Sequence, residues 1–371
     1  MGRPLRIALL KSSVQVKGGL EKYCQRIANA LVQQGHQVTI LSTSASQEPL
    51  SVKVCRKLPC TPLHLLWFDY HCRRWLSRHP QDVVFGFDRH FLPLTHYRAG
   101  NGCHAAYIAR RMAEASFFKR WGLYLNPLHR LLRYSEHLTF EQKADSVLIC
   151  NSNLVREEIL HYYPKTDLQK LFVVHNGVEW FEFEKPFAER HPPHIPTLLF
   201  IGHEWERKGL DRLLNALALI KEQPFHLTAI GRERHPGRFF SLAQTLGLND
   251  RVTLIPRAQP SLSFYQTCHI VIIPSRYDPF ANTTVEAMAM GLYVITTKAN
   301  GGSEVITPGV SGTVLEENFA PQALADAMRE AFLRIRDPSL PFRIREGAQQ
   351  FDFSRKLSKI ISLIELSGKI N

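Results

Sequence analysis

The sequence predicts an α/β protein of two doubly wound, Rossmann-like domains, each a parallel sheet covered by helices. Three observations carry that prediction. Strand-sized apolar runs alternate with helix-period stretches along almost the whole chain. The alternation breaks in "EWFEFEKPFAERHPPHIP" (179–196), where prolines and charges cluster as in a linker, and then restarts. The 371 residues suffice for two ordinary domains, and a hydrophobic content of 44% supplies their cores.

"RIALLK" (6–11) is a short first strand. "LEKYCQRIANALVQQG" (20–35) spaces Leu20, Tyr23, Cys24, Ile27, Ala28 and Leu31 along one helical face and stops at Gly35. Strands follow at 36–43, 82–87, 146–152 and 171–177. After the break come a strand at 197–202, a helix at 208–222, and strands at 225–231, 251–256, 269–275 and 293–297. "FDFSRKLSKIISLIEL" (351–366) is an amphipathic helix. The domains expected are residues 1–178 and 179–350. Parallel sheets of this kind take ligands at the carboxyl ends of their strands, which predicts a site in the cleft between the domains.

The net charge is +13 and the pI near 9.5, a surplus that attracts polyanions: nucleic acid, an anionic membrane or a phosphorylated substrate. Seven cysteines without a C-x-x-C or zinc spacing indicate free thiols in a reducing, cytoplasmic compartment. No signal peptide is read at the start of the chain, and the apolar runs fall short of the roughly 20 residues a span needs.

Three loops carry chemistry. In "KGGLEKY" (17–23), Gly18 and Gly19 let the backbone approach a ligand where a helix opens, although an ordinary strand-to-helix turn reads the same way. The G-x-G-x-x-G and Walker patterns are missing, which counts against a nucleotide-dependent oxidoreductase or a P-loop enzyme. In "WERKGLD" (205–211), Arg207 can fork onto two oxygens and Lys208 supplies a point charge at a helix start. In "SRYDPFANTTVEAMAMG" (275–291), the amides of Ala281, Asn282 and Thr283 open a helix. There Asp278 and Glu286 are placed to accept hydrogen bonds from vicinal hydroxyls.

"GGLEKY", "CNSNLVREEI" with "VVHNGVE", "FIGHEWERKGLDRLLNAL" and "PSRYDPFANTTVEAMAMGLYVITTKANGGSEVI" together resemble the family 4 glycosyltransferases of GT-B architecture, in the family's order and over nearly the full length. The resemblance implies transfer of a sugar from a nucleotide donor with retention of configuration. It assigns Arg207 and Lys208 to the leaving diphosphate, Asp278 to the donor sugar's hydroxyls, Glu286 to the ribose and Gly19 to the approach of the donor phosphate. The acidic pair is E-x7-E in the family, and this chain departs from it with Asp at the first position. The resemblance also implies that the C-terminal helix, 351–371, packs back on the first domain.

"YRAGNGCHAAYIARR" (97–111) resembles the lipopolysaccharide core glucosyltransferase I group, where an Asp commonly fills the place of Asn101. Asn101 cannot serve as a carboxylate, and His104 is either a substrate-binding or a structural histidine. With Arg207 and Lys208 they make up the candidate catalytic set. The segment 109–134 interleaves Arg110, Arg111, Lys119, Arg120, Arg130 and Arg133 with large apolar side chains. That composition suits a helix on anionic lipid, and equally a solvated helix or a nucleic-acid contact.

The expected protein is a retaining, UDP-sugar-dependent hexosyltransferase, peripheral on the inner face of the cytoplasmic membrane, moving glucose to a heptose of the lipopolysaccharide core. It takes no nucleic acid as a partner. No cofactor and no metal are expected, since no D-x-D occurs in the chain and bases can neutralise the diphosphate. The alternatives are a transferase for another envelope glycan or glycolipid, and a non-catalytic sugar-nucleotide or nucleic-acid-binding protein.

Overall fold

The computed structural model describes residues 3–13, 19–44, 50–142, 146–258 and 261–367, apart from the side chains of 19–22 and 366–367. The chain divides into two units, Met1–His175 with Lys356–Asn371, and Asn176–Arg355.

The first unit contains β1 (Arg6–Leu10), α1 (Gly19–Gln33), β2 (Gln37–Ser42), β3 (Ser51–Lys53), α2 (Thr61–Leu76), β4 (Val83–Gly86) and β5 (His96–Ala99). It continues through α3 (His104–Glu114), α4 (Phe117–Leu125), α5 (Pro127–His137), β6 (Val147–Cys150), α6 (Asn153–Tyr162) and β7 (Leu171–Val173). The strands form one parallel sheet in the order β3-β2-β1-β4-β5-β6-β7, so the strand order reverses between β1 and β4. Ile7 to Leu10 are wholly buried, the continuous apolar run that a strand covered on both faces requires. On α1, Tyr23, Cys24, Ile27, Ala28 and Leu31 are buried at the predicted spacing.

Strand β5, "HYRA", was not expected, and neither were β3 and the strand Gly312–Leu315 of the second unit. All four residues of β5 are buried, and hydrogen bonds make that tolerable. Arg98 donates to the Val174 carbonyl at 3.1 Å and lies 4.7 Å from the centroid of the Tyr23 ring. His96 pairs through Nε2 with the Leu363 carbonyl at 3.3 Å, and burial pushes its pKa down to about 4.

The second unit contains α7 (Trp180–Ala188), β8 (Thr197–Ile201), α8 (Trp205–Lys208), α9 (Leu210–Leu217), β9 (His226–Ile230), α10 (Gly237–Thr245), β10 (Val252–Ile255) and α11 (Leu262–Gln266). It goes on through β11 (Ile270–Ile273), α12 (Asn282–Ala289), β12 (Tyr293–Thr297), β13 (Gly312–Leu315), α13 (Pro321–Arg334) and α14 (Leu340–Ala348). Its parallel sheet runs β10-β9-β8-β11-β12-β13, reversing between β8 and β11. Helix α15 (Phe353–Ser367) begins here and carries the chain back to the first unit at Lys356. There Ile360, Ile361, Leu363 and Ile364 are buried and Glu365 reaches His36 at 3.3 Å.

Residues 179–196 are not simply a linker. Trp180, Phe183 and Phe187 recur three and four residues apart and hold α7 on the core of the second unit, despite Pro186 inside the helix.

Candidate functional site

The site begins where β8 ends. Gly202 leaves room for the stem of Lys208, since a Cβ there would lie 2.8 Å from the lysine Cγ. Glu204 has φ 57°, alone among the described non-glycine residues in being positive. Such a conformation costs about 1–3 kcal/mol and tends to collect at functional sites. It is held on both sides. The Glu204 amide donates to the Arg232 carbonyl at 3.2 Å, and its carbonyl accepts from the Lys208 amide at 3.1 Å. Trp205, fully buried, donates its amide to Glu233 at 2.8 Å and sets its ring edge-on to Phe239.

Arg207 and Lys208 were expected to open a helix spanning 208–222. Instead they end the one-turn helix α8, and a second helix starts at Leu210. Gly209 is the reason: it has φ 83°, and a Cβ on it would lie 2.0 Å from the Pro274 carbonyl oxygen. Arg207 and Lys208 therefore stand just before the N-terminus of α9 and not within its first turn.

The loop after β11 locks onto the same turn. Arg276 grips Asp211 with both Nη atoms, at 2.8 and 2.7 Å, and its amide donates to the Arg207 carbonyl at 2.9 Å. Lys208 Nζ bonds Asp278 Oδ2, and Arg207 Nη1 lies 3.8 Å from the same oxygen while donating to the Tyr277 carbonyl at 3.0 Å. Arg207 Nε also meets Glu204 at 2.6 Å. The Lys208 and Asp278 side chains are 12% and 9% exposed, so their attraction is only partly screened. Burial and the neighbouring bases Arg232, Lys208 and Arg207 push the His203 pKa down, the mark of a cationic surrounding.

Both Asp278 oxygens are engaged: Oδ1 accepts from the Phe280 amide at 3.1 Å and Oδ2 from Lys208. A carboxylate has about four lone-pair positions, so sugar hydroxyls would share these oxygens.

Helix α12 starts at Asn282. The Ala281 amide donates to Asn300 Oδ1 at 2.9 Å, which corrects the expectation that it faces a ligand. The amides of Asn282 and Thr283 remain first-turn donors, without i−4 partners in the helix. The Asn282 side chain accepts from Asn176 at 2.7 Å. Glu286 accepts from the Tyr265 hydroxyl at 2.6 Å, and Thr283 bonds the same hydroxyl. Burial, reinforced by Glu286, raises the Tyr265 pKa, so this phenol stays a donor.

Asn300, fully buried, went unrecognised in the sequence. Its Oδ1 accepts from Ala281 and Gly302, and its Nδ2 donates to Thr296 and Thr284. It joins the ends of β12 and α12, and Asp278 pairs beside it. Its signal was an Asn before two glycines, which reads as a plain turn. Arg276 was missed because a loop arginine looks solvated.

Of the sequence candidates, Arg207, Lys208 and Asp278 come together at the ends of β8 and β11, where the strand order reverses. That is the place an open α/β sheet binds ligands. Glu286 stands on α12, which the same loop opens.

In the first unit, Gly18 lies outside the described residues and Gly19 is the first residue of α1. Asn101 is exposed in the turn before α3. His104 is buried at the first position of α3, 3.1 Å from His129 through Nε2. Burial, then Arg89, His129 and Arg133, push its pKa down to about 3, so it is neutral at working pH. Behind the turn, buried Glu136 accepts from the His104 and Ala105 amides, Tyr163 and Arg89. A partly buried pair also escaped notice. Lys11 and Asp88 meet at 2.7 Å at the ends of β1 and β4, where this sheet reverses. "LLK" reads as a strand continuing, which hid Lys11.

Two parallel-sheet units, the second with paired bases and carboxylates at its switch point, define a GT-B type glycosyltransferase. Comparison with known proteins agrees. The family of glycosyl transferases group 1 matches residues 181–351, and Glycosyltransferase Family 4 matches residues 17–179. The lipopolysaccharide glucosyltransferase WaaG of Escherichia coli K12 is 25% identical over 340 residues, 85% of this chain and 86% of its own. The crystal structure of a WaaG superposes with a TM-score of 0.75 at 22% identity, over 98% of this chain and 99% of that one. Anabaena HepE in complex with UDP-glucose gives 0.72 at 16% identity, over 98% and 100%. At these identities the structures speak for the fold alone. The chain thus carries a Glycosyltransferase Family 4 domain followed by a glycosyl transferases group 1 domain.

Proposed function

We propose that the protein transfers glucose from UDP-glucose to a heptose of a lipopolysaccharide core, with retention and without a metal. The observation that carries the donor half is the Arg207–Lys208 pair, held at the switch point of the second sheet by Asp278. As the bond from the sugar to UDP breaks, Lys208 and Arg207 face the charge growing on the diphosphate, in a partly dry setting where fixed charges act strongly. The amides of Asn282 and Thr283 add to them. Glu286, oriented by Tyr265, takes the ribose hydroxyls, and Asp278 shares its oxygens between Lys208 and the sugar. Retention follows from front-face attack, the acceptor oxygen entering where UDP leaves and a phosphate oxygen taking its proton. Asn101 is a poor nucleophile and neutral His104 a poor acid. The acceptor half rests on the likeness to WaaG and on "YRAGNGCHAAYIARR".

A donor panel tests this. UDP-glucose, UDP-galactose and UDP-N-acetylglucosamine are offered with delipidated core oligosaccharide, with and without excess EDTA. UDP-glucose should turn over at an unchanged rate in EDTA, and the product should keep the donor's anomeric configuration. Preference for another donor, an inverted product, or activity that EDTA abolishes and manganese restores would each remove that part of the proposal.

Contact with an anionic membrane surface is proposed for α4. None of its residues is buried, and Phe117, Phe118, Trp121, Tyr124 and Leu125 are all exposed, Phe118 at 86%. No helix of the described residues is long and apolar enough to cross a membrane. Of the six bases, Arg110 is committed to Glu158 at 2.5 Å and is set aside. Lys119 and Arg120 on α4 and Arg111 on α3 each contribute about 1 kcal/mol near an anionic surface, so Arg111→Gln/Lys119→Gln/Arg120→Gln should weaken binding to anionic vesicles by roughly two orders of magnitude. Binding to neutral vesicles should be weak, and high salt should release the protein. Equal co-sedimentation of parent and variant would show a solvated helix.

A further inference from the structure

We propose a second anion site, a groove in the first unit that binds the phosphoryl group of an organic phosphate. The groove, about 410 Å3, is walled by Arg130, Arg133, Tyr134, His137 and Glu141 on one side and by Tyr162 and Tyr163 on the other. The first four recur at i, i+3, i+4 and i+7 along α5, one helical face. Glu141 follows from the π-turn Leu138–Gln142, and the two tyrosines close the far end of α6.

The charges make the case. Glu141 lines the groove, Glu136 and Glu158 lie beside its two tyrosines, and each of the three carboxylates has its own partner. Glu136 takes Arg89 at 3.0 Å, Glu158 takes Arg110 at 2.5 Å, and Glu141 takes His137 at 2.6 Å. Glu141 also accepts from the Lys165 amide at 3.2 Å. Among the described residues no carboxylate forms an ion pair with Arg130 or Arg133. Two like charges one turn apart on the same helix face repel. An oxyanion between them relieves that repulsion, and the guanidinium fork fits phosphate oxygens. Burial raises the Tyr162 pKa, which keeps its hydroxyl a donor beside the bases. Tyr134, 55% exposed, offers a ring face to whatever carries the phosphate. The volume is that of a small-ligand pocket, roughly 300–1,000 Å3, and exceeds what a bare phosphate fills.

The site is separate from Arg207 and Lys208, which lie in the other unit, so the proposal goes beyond the donor reading and does not depend on it. The phosphate can sit on a saccharide or on a lipid headgroup, and the test distinguishes them. The full chain is first saturated with UDP. It is then titrated with glucose 6-phosphate, with glucose as the neutral control, and co-sedimented with phosphatidylcholine vesicles with and without phosphatidic acid. Glucose 6-phosphate or the phosphatidic acid vesicles should bind and glucose should not. Arg130→Gln/Arg133→Gln should weaken that binding about tenfold or more, the loss of charge-assisted bonds. Arg130→Lys/Arg133→Lys should fall between, keeping charge and losing the fork. UDP affinity and melting temperature, read alongside, should match the parent. Absent UDP binding would undo the donor reading and leave the groove to be judged on the phosphate probes. The probe that weakens identifies the carrier. A parent that binds neither probe, or a glutamine variant that binds both as the parent does, overturns the proposal.

Discussion

Lys208→Ala should lower kcat by about 100- to 1,000-fold, the usual worth of one preorganised donor facing charge that develops in the transition state. The lysine is placed by four independent features: Gly202, which makes room for its stem; strained Glu204; Gly209, which ends the turn; and Asp278, which pairs with its Nζ. UDP-glucose affinity should fall less than kcat, because the bridging oxygen of the intact donor carries less charge than it does in the transition state. The substitution also strands Asp278, which is 6% exposed and has Arg207 at 3.8 Å as its other base. A melting curve separates that cost from catalysis. Asp278→Asn added to Lys208→Ala should recover stability but not kcat, since the two residues are coupled in folding and only the lysine meets the phosphate. A kcat for Lys208→Ala within about twofold of the parent, a barrier change below roughly 0.5 kcal/mol, would reduce the lysine to a structural ion pair.

What could be read in the chain and what could not divide along physical lines. β11 is wholly apolar, and β1, β8 and β12 are largely so, because both faces of a parallel sheet are covered, and such runs are hard to misread. β5 carries the same burden with His96, Tyr97 and Arg98. Its polar groups are satisfied by Val174, Thr95 and Leu363, partners up to 267 residues away, so no local pattern announces a strand. α7 failed for the opposite reason: Pro186 and clustered charge look like a linker, and only the spacing of Trp180, Phe183 and Phe187 says otherwise. At the site, the charged residues were legible because bases and acids near glycines are rare within a fold's interior loops. The residues that hold them were not. Arg276, Tyr265 and Asn300 act through contacts formed by tertiary folding, and their types are unremarkable in a loop or helix. The break at Gly209 depends on the approach of the Pro274 carbonyl, again a contact of the folded state.

The same distinction governs the first unit, where the largest structural effect is expected from a residue with no place in the chemistry. Glu136→Gln should destabilise the start of α3 by about 3–5 kcal/mol, the cost of breaking a buried ion pair from one side. Glu136 is 2% exposed and accepts from Arg89 at 3.0 Å, the Tyr163 hydroxyl at 2.9 Å, and the amides of His104 at 2.5 Å and Ala105 at 3.2 Å. Those two amides are first-turn donors that nothing else in the helix can satisfy, so one carboxylate caps α3 and neutralises Arg89 together. Arg89 in turn donates to the Gly102 carbonyl at 3.3 Å, in the turn that carries Asn101, where Gly102 has φ 70°. The glutamine keeps the size of the side chain, loses the charge and turns one acceptor into a donor facing donors. Amide exchange reads the consequence locally: protection of residues 104–114 should drop by about a hundredfold to a few thousandfold. UDP affinity, which the proposed function places on the second unit, should not move, so global unfolding is told apart from loss of the cap. Arg89→Met added to Glu136→Gln should recover part of the loss, because the guanidinium is then no longer buried without its partner while the glutamine oxygen can still accept from the α3 amides. Protection in Glu136→Gln within about tenfold of the parent, some 1.4 kcal/mol, would mean that the remaining donors reorganise around the amide and that α3 is held by its apolar face instead.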